Sequence, residues 1–284
     1  MILLDLDSKK TDDQRRAVLF QGRFFVYSPK PSSAAVCGFA RALIEKAFPV
    51  KEPQKAQFDM PVEKFVEIAG PLKSQFTNDP ETKKKIQAML KEFGCDLART
   101  YFDVPRLRIV THGGYLTAGV GYAYKPHRDT WYAGDAAQVN WWFPVYALEA
   151  ECALSFYPTY WNRAVLNSSK GFDYEEWCRV GRPGAASQIT QDTRNHPLPL
   201  EKLDESGEFR VVCSAGSVIL FSAAQLHATY PNASGVTRFS IDFRTIHESD
   251  IRDGRGAPNA DSKAVGSTLS DFIRASDFQP WEKK

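Results

Sequence analysis

The chain has 284 residues, 43% of them hydrophobic and 25% charged, with a formal net charge of +2. That length allows one large domain or two small ones, with a core that needs no disulfide or metal staple, and the composition excludes a disordered chain. So mild a charge balance gives no reason to expect a nucleic-acid or membrane partner. The densest basic run, Lys83-Lys84-Lys85, reads as a solvated helix face. Five cysteines (Cys37, Cys95, Cys152, Cys178 and Cys213) are scattered without a Cys-x-x-Cys pair. Neither a zinc ribbon nor a thioredoxin-type site is therefore expected, and free buried thiols in a reducing compartment are the simplest account. Met1 to Lys10 contains Asp5 and Asp7 and lacks the basic-then-apolar layout of a signal peptide. No apolar run approaches the roughly 18 residues of a membrane span, so a cytoplasmic location is expected.

In chain order, Arg23–Tyr27 reads as a short strand. Ser32 and Ser33 can cap a helix in which Val36, Phe39, Ala40, Leu43, Ile44 and Ala47 recur at helical spacing, ending before Pro49. A second helix is expected from Pro61 to about Gln75, with Phe65, Ile68 and Leu72 on one face. A third runs from Pro80 to Phe93, with Asp79 as N-cap and Gly94 just past its end.

After Asp96 the segments become short, β-branched and aromatic, with Gly and Pro between them. Arg106–Thr111, Tyr115–Tyr124, Gln138–Tyr146, Ala153–Tyr157, Phe209–Cys213, Ser217–Phe221 and Thr237–Ile246 read as strands. Such a succession without helical patterns points to an antiparallel sandwich or barrel. Residues 162–199 are polar and irregular, and a loop of that length is expected to be a lid or binding loop. The tail, 248–284, carries a weak helical pattern from Leu269 to Phe278. The whole is expected to form one domain: a mainly helical part over 1–96, a β-barrel core over 97–247, and the tail.

His127-Arg128-Asp129 places an imidazole and a carboxylate at i and i+2, on one face if the backbone is extended. A second imidazole must come from His112, His196, His227 or His247. His227 is best placed, between the apolar run Ser217–Phe221 and the strand from Thr237. Two histidines and one carboxylate leave open positions on an iron(II) ion, the arrangement suited to oxygen activation. Eleven residues beyond His227 comes Arg238. Along its strand Phe239, Ile241 and Phe243 face one way, and Arg238, Ser240, Asp242 and Arg244 the other. An arginine on an inner barrel face needs an anionic partner. Its planar fork matches a carboxylate, and the Ser240 hydroxyl can add a further hydrogen bond. The alternative is a solvent-exposed Arg–Asp ladder.

These residues, in this order, resemble the iron(II)/2-oxoglutarate-dependent oxygenases. The stretch Ala215–Phe221 to His227, then Pro231-Asn232-x-Ser234 and Arg238-x-Ser240-x-Asp242-x-Arg244, is similar to the phytanoyl-CoA dioxygenase-like branch. The resemblance covers roughly residues 100 to 247, and the helical first third carries no motif matching it. It implies an α+β fold built on a double-stranded β-helix (jelly-roll, cupin-like) barrel, with the N-terminal helices packed on one sheet. It also implies His127, Asp129 and His227 as ligands of Fe(II), with Arg238 and Ser240 on the distal carboxylate of 2-oxoglutarate. Consumption of O2 and decarboxylation of 2-oxoglutarate to succinate and CO2 would then drive oxidation of a small-molecule substrate, most simply hydroxylation. Halogenases of this kind replace the carboxylate ligand with Gly or Ala, so Asp129 argues against halogenation. The Arg-x-Ser-x-Asp-x-Arg pattern also resembles that of the nucleic-acid demethylases (AlkB-like). There, however, the two histidines lie closer in sequence and a basic surface is expected. A metal-binding barrel without catalysis is the reading from another class.

Tyr122, Tyr124, Trp131, Tyr132, Trp141, Trp142, Tyr157, Tyr160 and Trp161 flank the ligands. Most are expected in the core and about a third in the pocket. Trp131 is the first choice for a substrate wall if the strand through His127 continues, with Tyr124 and Trp142 as further candidates. An inward Asn140 could bond the 1-carboxylate of the co-substrate. Arg244 is either a partner of Asp242 or a second anion contact. His112 is expected to be structural, or to reach the pocket from its strand end. His196 is expected to face solvent unless a lid uses it. The substrate itself is not legible: alkaloids, modified amino acids, polyketides and acyl thioesters of secondary metabolism all suit an aromatic pocket.

Overall fold

The computed structural model describes residues 4–282; the first three residues of the N-terminal stretch and the last two of the tail lie outside them. The first helix, α1 (Asp12–Leu19), follows a short strand β1 (Leu4–Leu6) and opens on a reciprocal capping box between Thr11 and Gln14. Strand β2 is Phe24–Tyr27. Helix α2 spans Pro31–Ala47 and ends before Pro49 as expected, but begins earlier than a cap at Ser32 or Ser33 allows. Pro31 occupies its first turn, and the Ser33 hydroxyl instead accepts from the Lys30 backbone N–H at 3.0 Å. Helix α3 (Val62–Asn78) continues past Gln75, and α4 (Pro80–Glu92) is capped by Asp79, whose carboxylate accepts from the Glu81 N–H.

The strands that follow are β3 (Thr100–Phe102), β4 (Arg106–Val110), β5 (Val139–Pro144), β6 (Leu154–Phe156), β7 (Phe209–Arg210), β8 (Val218–Ser222), β9 (His227–Thr229), β10 (Arg238–His247) and β11 (Ile273–Arg274). The larger sheet runs β1-β2-β8-β5-β10-β3-β11, with β4 also on β10; the smaller runs β7-β6-β9. All pairings are antiparallel except β1 with β2.

Alternation in β10 decides what each face does. Phe239, Ile241 and Phe243 join one continuous core with Trp141, Phe143, and residues of α2, α3 and α4 such as Ile44, Phe65, Leu72, Ile86 and Met89. The other face turns towards a second apolar cluster, in which Trp142, Ile219 and Phe221 of the larger sheet meet Leu154 and Phe156 of the smaller one. Residues of α2, α3 and α4 thus share a core with one face of the larger sheet, and residues of the smaller sheet share a cluster with the other.

Three expected elements differ. Tyr115–Tyr124 is not a strand: it turns through a 3-10 segment at Gly119–Gly121, with Gly113, Gly114 and Gly119 at positive φ. A Cβ on Gly119 would lie 2.2 Å from the Ala185 carbonyl oxygen, so only glycine permits this approach of the 183–194 segment. The Leu269–Phe278 pattern gives a 3-10 turn (Thr268–Asp271) followed by β11, which pairs with β3. The 162–199 insert contains a helical turn at Tyr174–Glu176, a π-helical turn at Trp177–Gly181 and a 3-10 turn at Pro183–Ser187. Of the five cysteines, all free, Cys37, Cys95 and Cys152 are buried, while Cys178 and Cys213 are partly exposed. No helix among the described residues is long and apolar enough to cross a membrane.

Candidate metal and co-substrate site

His127 and His227 face each other as a hydrogen-bonded antiparallel pair: each backbone N–H donates to the other's carbonyl, at 2.9 and 3.0 Å. The pairing sets the imidazole centroids 4.4 Å apart. In each ring Nδ1–H donates to a backbone carbonyl, Lys125 at 2.8 Å for His127 and Gln225 at 3.0 Å for His227. A carbonyl can only accept, so the tautomer is fixed and both Nε2 lone pairs are free for a metal.

Asp129 is anchored by its own N–H to the Ala223 carbonyl at 2.9 Å. Its Oδ1 lies 3.4 Å from His127 Nε2 and 3.8 Å from His227 Nε2. Oδ2 accepts from Gln138 Nε2 at 3.0 Å and from Arg244 Nε at 3.4 Å. One oxygen is thus held by the protein and the other faces the two imidazoles. Burial alone would raise the Asp129 carboxyl, but Arg244 and the two histidines outweigh it and hold it far below the usual carboxylate range. Burial, then the neighbouring His127, push His227 down to about 4, so it is neutral near pH 7. Two imidazoles and an ionised carboxylate, with one donor atom of each within 4.8 Å of the others, form a donor set that fits iron(II) and leaves one side of the ion open.

That side opens on a cavity of about 660 Å³ lined from both sheets, from α3 and from the 172–194 segment. Arg238, Asp242 and Arg244 of β10 and Asn140 and Trp142 of β5 line it. Arg238 is 4% exposed, yet has no carboxylate partner among the described residues. Its Nη1 donates to the Cys152 carbonyl at 2.8 Å, its guanidinium lies over the Trp142 ring, and its Nε is buried without a partner. Ser240, two residues on and fully buried, also has an unpartnered hydroxyl. Burial pushes the Arg238 guanidinium down to about 10. A buried cation beside an unsatisfied hydroxyl calls for an anionic acceptor, and the distal carboxylate of 2-oxoglutarate has that chemistry. Asn140 is buried with its Oδ1 accepting from Gln138 at 2.9 Å, which leaves its amide N–H groups available.

Several expectations are corrected. Trp131 is not a cavity wall. The backbone turns at Asp129–Tyr132 into a 3-10 segment ending at Ala133 with φ +61, so the i+2 rule stops at Asp129. Trp131 packs instead with Tyr157, Tyr160, Val165 and Leu226, its indole N–H donating to Asp261 at 2.6 Å. Tyr132 takes the cavity position, together with Tyr122, Tyr124, Trp141 and Trp142. Arg244 does not pair with Asp242; its Nη1 binds Asp103 at 2.7 Å, and Asp242 belongs to Arg108. His196 is buried, stacked on Tyr122 at 4.0 Å and bonded to the Tyr132 hydroxyl, because the loop carrying it folds inward. His112 is structural: its Nδ1 accepts from the Gly235 N–H.

Sequence reasoning missed Gln138, Asp103 and Asp261. Gln138 was within reach, lying two residues before Asn140 and on the same face. Asp103 and Asp261 reach the site only through tertiary contacts and left no local signal.

The site defines a non-haem iron oxygenase of the 2-oxoglutarate-dependent class, using Fe(II), 2-oxoglutarate and O2. The chain belongs to the phytanoyl-CoA dioxygenase (PhyH) family, whose model matches residues 29–240. A direct comparison with curated protein sequences finds no match. Among solved structures it is similar to EvdO2 from Micromonospora carbonacea var. aurantiaca complexed with 2-oxoglutarate, at 13% identity and TM-score 0.46, over 85% of this chain and 93% of that one. It is also similar to AviO1 from Streptomyces viridochromogenes Tue57 (16%, TM-score 0.42, covering 89% and 100%). A third likeness is to the epimerase SnoN in complex with Fe3+, alpha-ketoglutarate and a nogalamycin (13%, TM-score 0.41, covering 82% and 83%).

Proposed function

We propose that residues 1–284 act as one cytoplasmic oxygenase domain that hydroxylates a small molecule of secondary metabolism, with the two sheets as the halves of a double-stranded β-helix. His127, Asp129 and His227 hold the iron. Arg238 and Ser240 hold the distal carboxylate of 2-oxoglutarate, and the Asn140 amide meets its 1-carboxylate end. Iron and 2-oxoglutarate together supply the oxidising power, drawn from O2 as 2-oxoglutarate becomes succinate and CO2. The protein's part is placement. Gln138 and Arg244 fix the unused oxygen of Asp129, and the Lys125 and Gln225 carbonyls fix the imidazole tautomers. Tyr124, Tyr132 and Trp142 line the space beside the triad and shield it from water.

The observation that carries this reading is the pair of orphaned polar atoms, Arg238 Nε and Ser240 Oγ, on the same face of β10, from which Arg238 reaches the cavity that holds the triad. The test is succinate release from 2-oxoglutarate with Fe(II) and ascorbate under air. Slow turnover without added substrate is expected, and it should vanish in His127→Ala. If the reconstituted protein neither binds nor consumes 2-oxoglutarate, and His127→Ala behaves like the parent, the reading is wrong.

A further inference from the structure

Beyond the triad the cavity runs outward along β4 and α3, and its wall is crowded with cations: Lys73, Arg106, Arg108, Arg182, Arg194 and Arg244. The carboxylates that face them are shared. Asp103 accepts from both Arg106 at 2.6 Å and Arg244 at 2.7 Å. Asp271 lies 2.6 Å from Arg182 and 3.9 Å from Arg106. Asp242 is taken by both ends of Arg108, and Asp192 by Arg194. With Asp129, which Arg244 also reaches at 3.4 Å, five carboxylates therefore answer five guanidinium groups, and Lys73 is left over. Its ammonium donates to the Val120 carbonyl and meets no carboxylate among the described residues. Burial, then Arg108, Arg194 and Arg106, push it down to about 7, as expected of a cation crowded by cations.

Arg238 does not add to this surplus, because in the function proposed above 2-oxoglutarate neutralises it; the present inference rests on that reading. Aromatic rings fill the wall between the cations. Arg108 lies over Tyr124 and Arg194 over Tyr122, the two tyrosine rings are 5.0 Å apart in an edge contact, and Trp177 lies under Arg194. A volume of this size suits a small ligand, for which roughly 300–1,000 Å³ is usual.

We infer that the primary substrate is a small oxyacid anion with an apolar, ring-sized body. Its acid group is received by Lys73 together with Arg108 and Arg194, and its body lies against Tyr122, Tyr124 and Trp177, leading towards the metal. The unpaired, half-buried charge of Lys73 is costly until an anion arrives. Recognition of this kind discriminates by charge rather than by apolar shape alone.

The test uses protein loaded with Mn(II) and 2-oxoglutarate. Calorimetry and intrinsic tryptophan fluorescence would follow titration with 2-naphthoate, 2-naphthyl phosphate and the uncharged 2-naphthamide, and with the corresponding benzene-ring series. At least one acid should bind about tenfold or more tighter than its amide, the discrimination that one charge-assisted hydrogen bond provides. Lys73→Met should abolish that preference, Lys73→Arg should keep most of it, and neither should change the affinity for 2-oxoglutarate. Carboxylate ahead of phosphate, or the reverse, identifies the acid group. Amides binding as well as acids, no acid binding at millimolar concentration, or a Lys73→Met effect confined to 2-oxoglutarate would each overturn the inference while leaving the oxygenase reading intact.

Discussion

Arg244 bridges two aspartates: its Nη1 donates to Asp103 at 2.7 Å while its Nε lies 3.4 Å from Oδ2 of Asp129. The Arg244 backbone N–H also donates to Asp103 Oδ1 at 2.7 Å, so the strand and its side chain are locked to the same carboxylate. Asp129 is therefore aimed by a residue that does not itself face the metal. Arg244→Met is expected to weaken Mn(II) binding by about 10- to 100-fold, the usual effect of losing a partner that orients a ligand. Stability should fall by ~2 kcal/mol, less than for a fully broken buried pair because Arg106 still reaches Asp103. Metal titration by calorimetry alongside urea unfolding separates the two effects. Unchanged metal affinity would show that Arg244 serves only the fold.

Arg238 and Ser240 should separate by magnitude. Arg238→Met is expected to weaken 2-oxoglutarate binding by about 100-fold or more, since a buried, charge-assisted contact is lost. Ser240→Ala should weaken it by only about 3- to 10-fold. Because the Ser240 hydroxyl has no partner among the described residues, that variant should melt no earlier than the parent. A marked loss of thermal stability in Ser240→Ala would show that the hydroxyl is satisfied inside the fold.

Asp261 clamps the His127–Asp129 segment from the tail. Its carboxylate accepts from Arg128 Nε at 3.0 Å, from the Trp131 indole at 2.6 Å and from the Val165 N–H at 3.0 Å. Arg128 is 1% exposed and, among the described residues, donates otherwise only to the Ala224, Tyr160 and Arg163 carbonyls. Asp261→Ala leaves a buried guanidinium without a counter-charge and should cost about 3–5 kcal/mol in denaturant unfolding. Asp261→Asn keeps acceptor geometry on one oxygen and should cost less. Equal stability of Asp261→Ala and the parent would rule out the clamp.

His196 gives the stability curve an acid limb. Burial, then the neighbouring Arg194, hold it down to about 4. Its folded value is thus depressed below the unfolded value near 6.5. The unfolded chain takes up the proton first, so stability is complete above about pH 6.5 and declines as pH falls towards 4. The loss attributable to this residue is on the order of 1 kcal/mol per pH unit in that window. His196→Asn should flatten that part of the melting-temperature profile relative to the parent. Parallel profiles for the two proteins would exclude the effect.

Much of the site was legible because its signals are periodic. His127 and Asp129 are two residues apart, and β10 alternates so cleanly that the inward set Arg238, Ser240, Asp242 and Arg244 follows from period two alone. The helices over 31–92 carry the capping and spacing of their type, and their buried stripes match the apolar positions in the sequence. Errors fell where a local rule ended without a local mark. Extended backbone at His127 gives way to a 3-10 turn at Asp129, which carried Trp131 out of the cavity. The glycines of 113–121 broke an apparent strand, and hydrophobic spacing near 269–278 could not tell a helix from an edge strand that found a partner in β3.

The sequence by itself determined which donors are proposed: two imidazoles, one carboxylate and an arginine two residues from a serine on one strand face. Chain separation alone could not say which aspartate Arg244 would hold, that Asp261 would return over some 130 residues to clamp Arg128, or that Lys73 would face the cavity uncompensated. Those outcomes depend on which strands pair and on how α3 packs against β4. Such contacts are fixed by burial of the whole core, which no short window of sequence encodes.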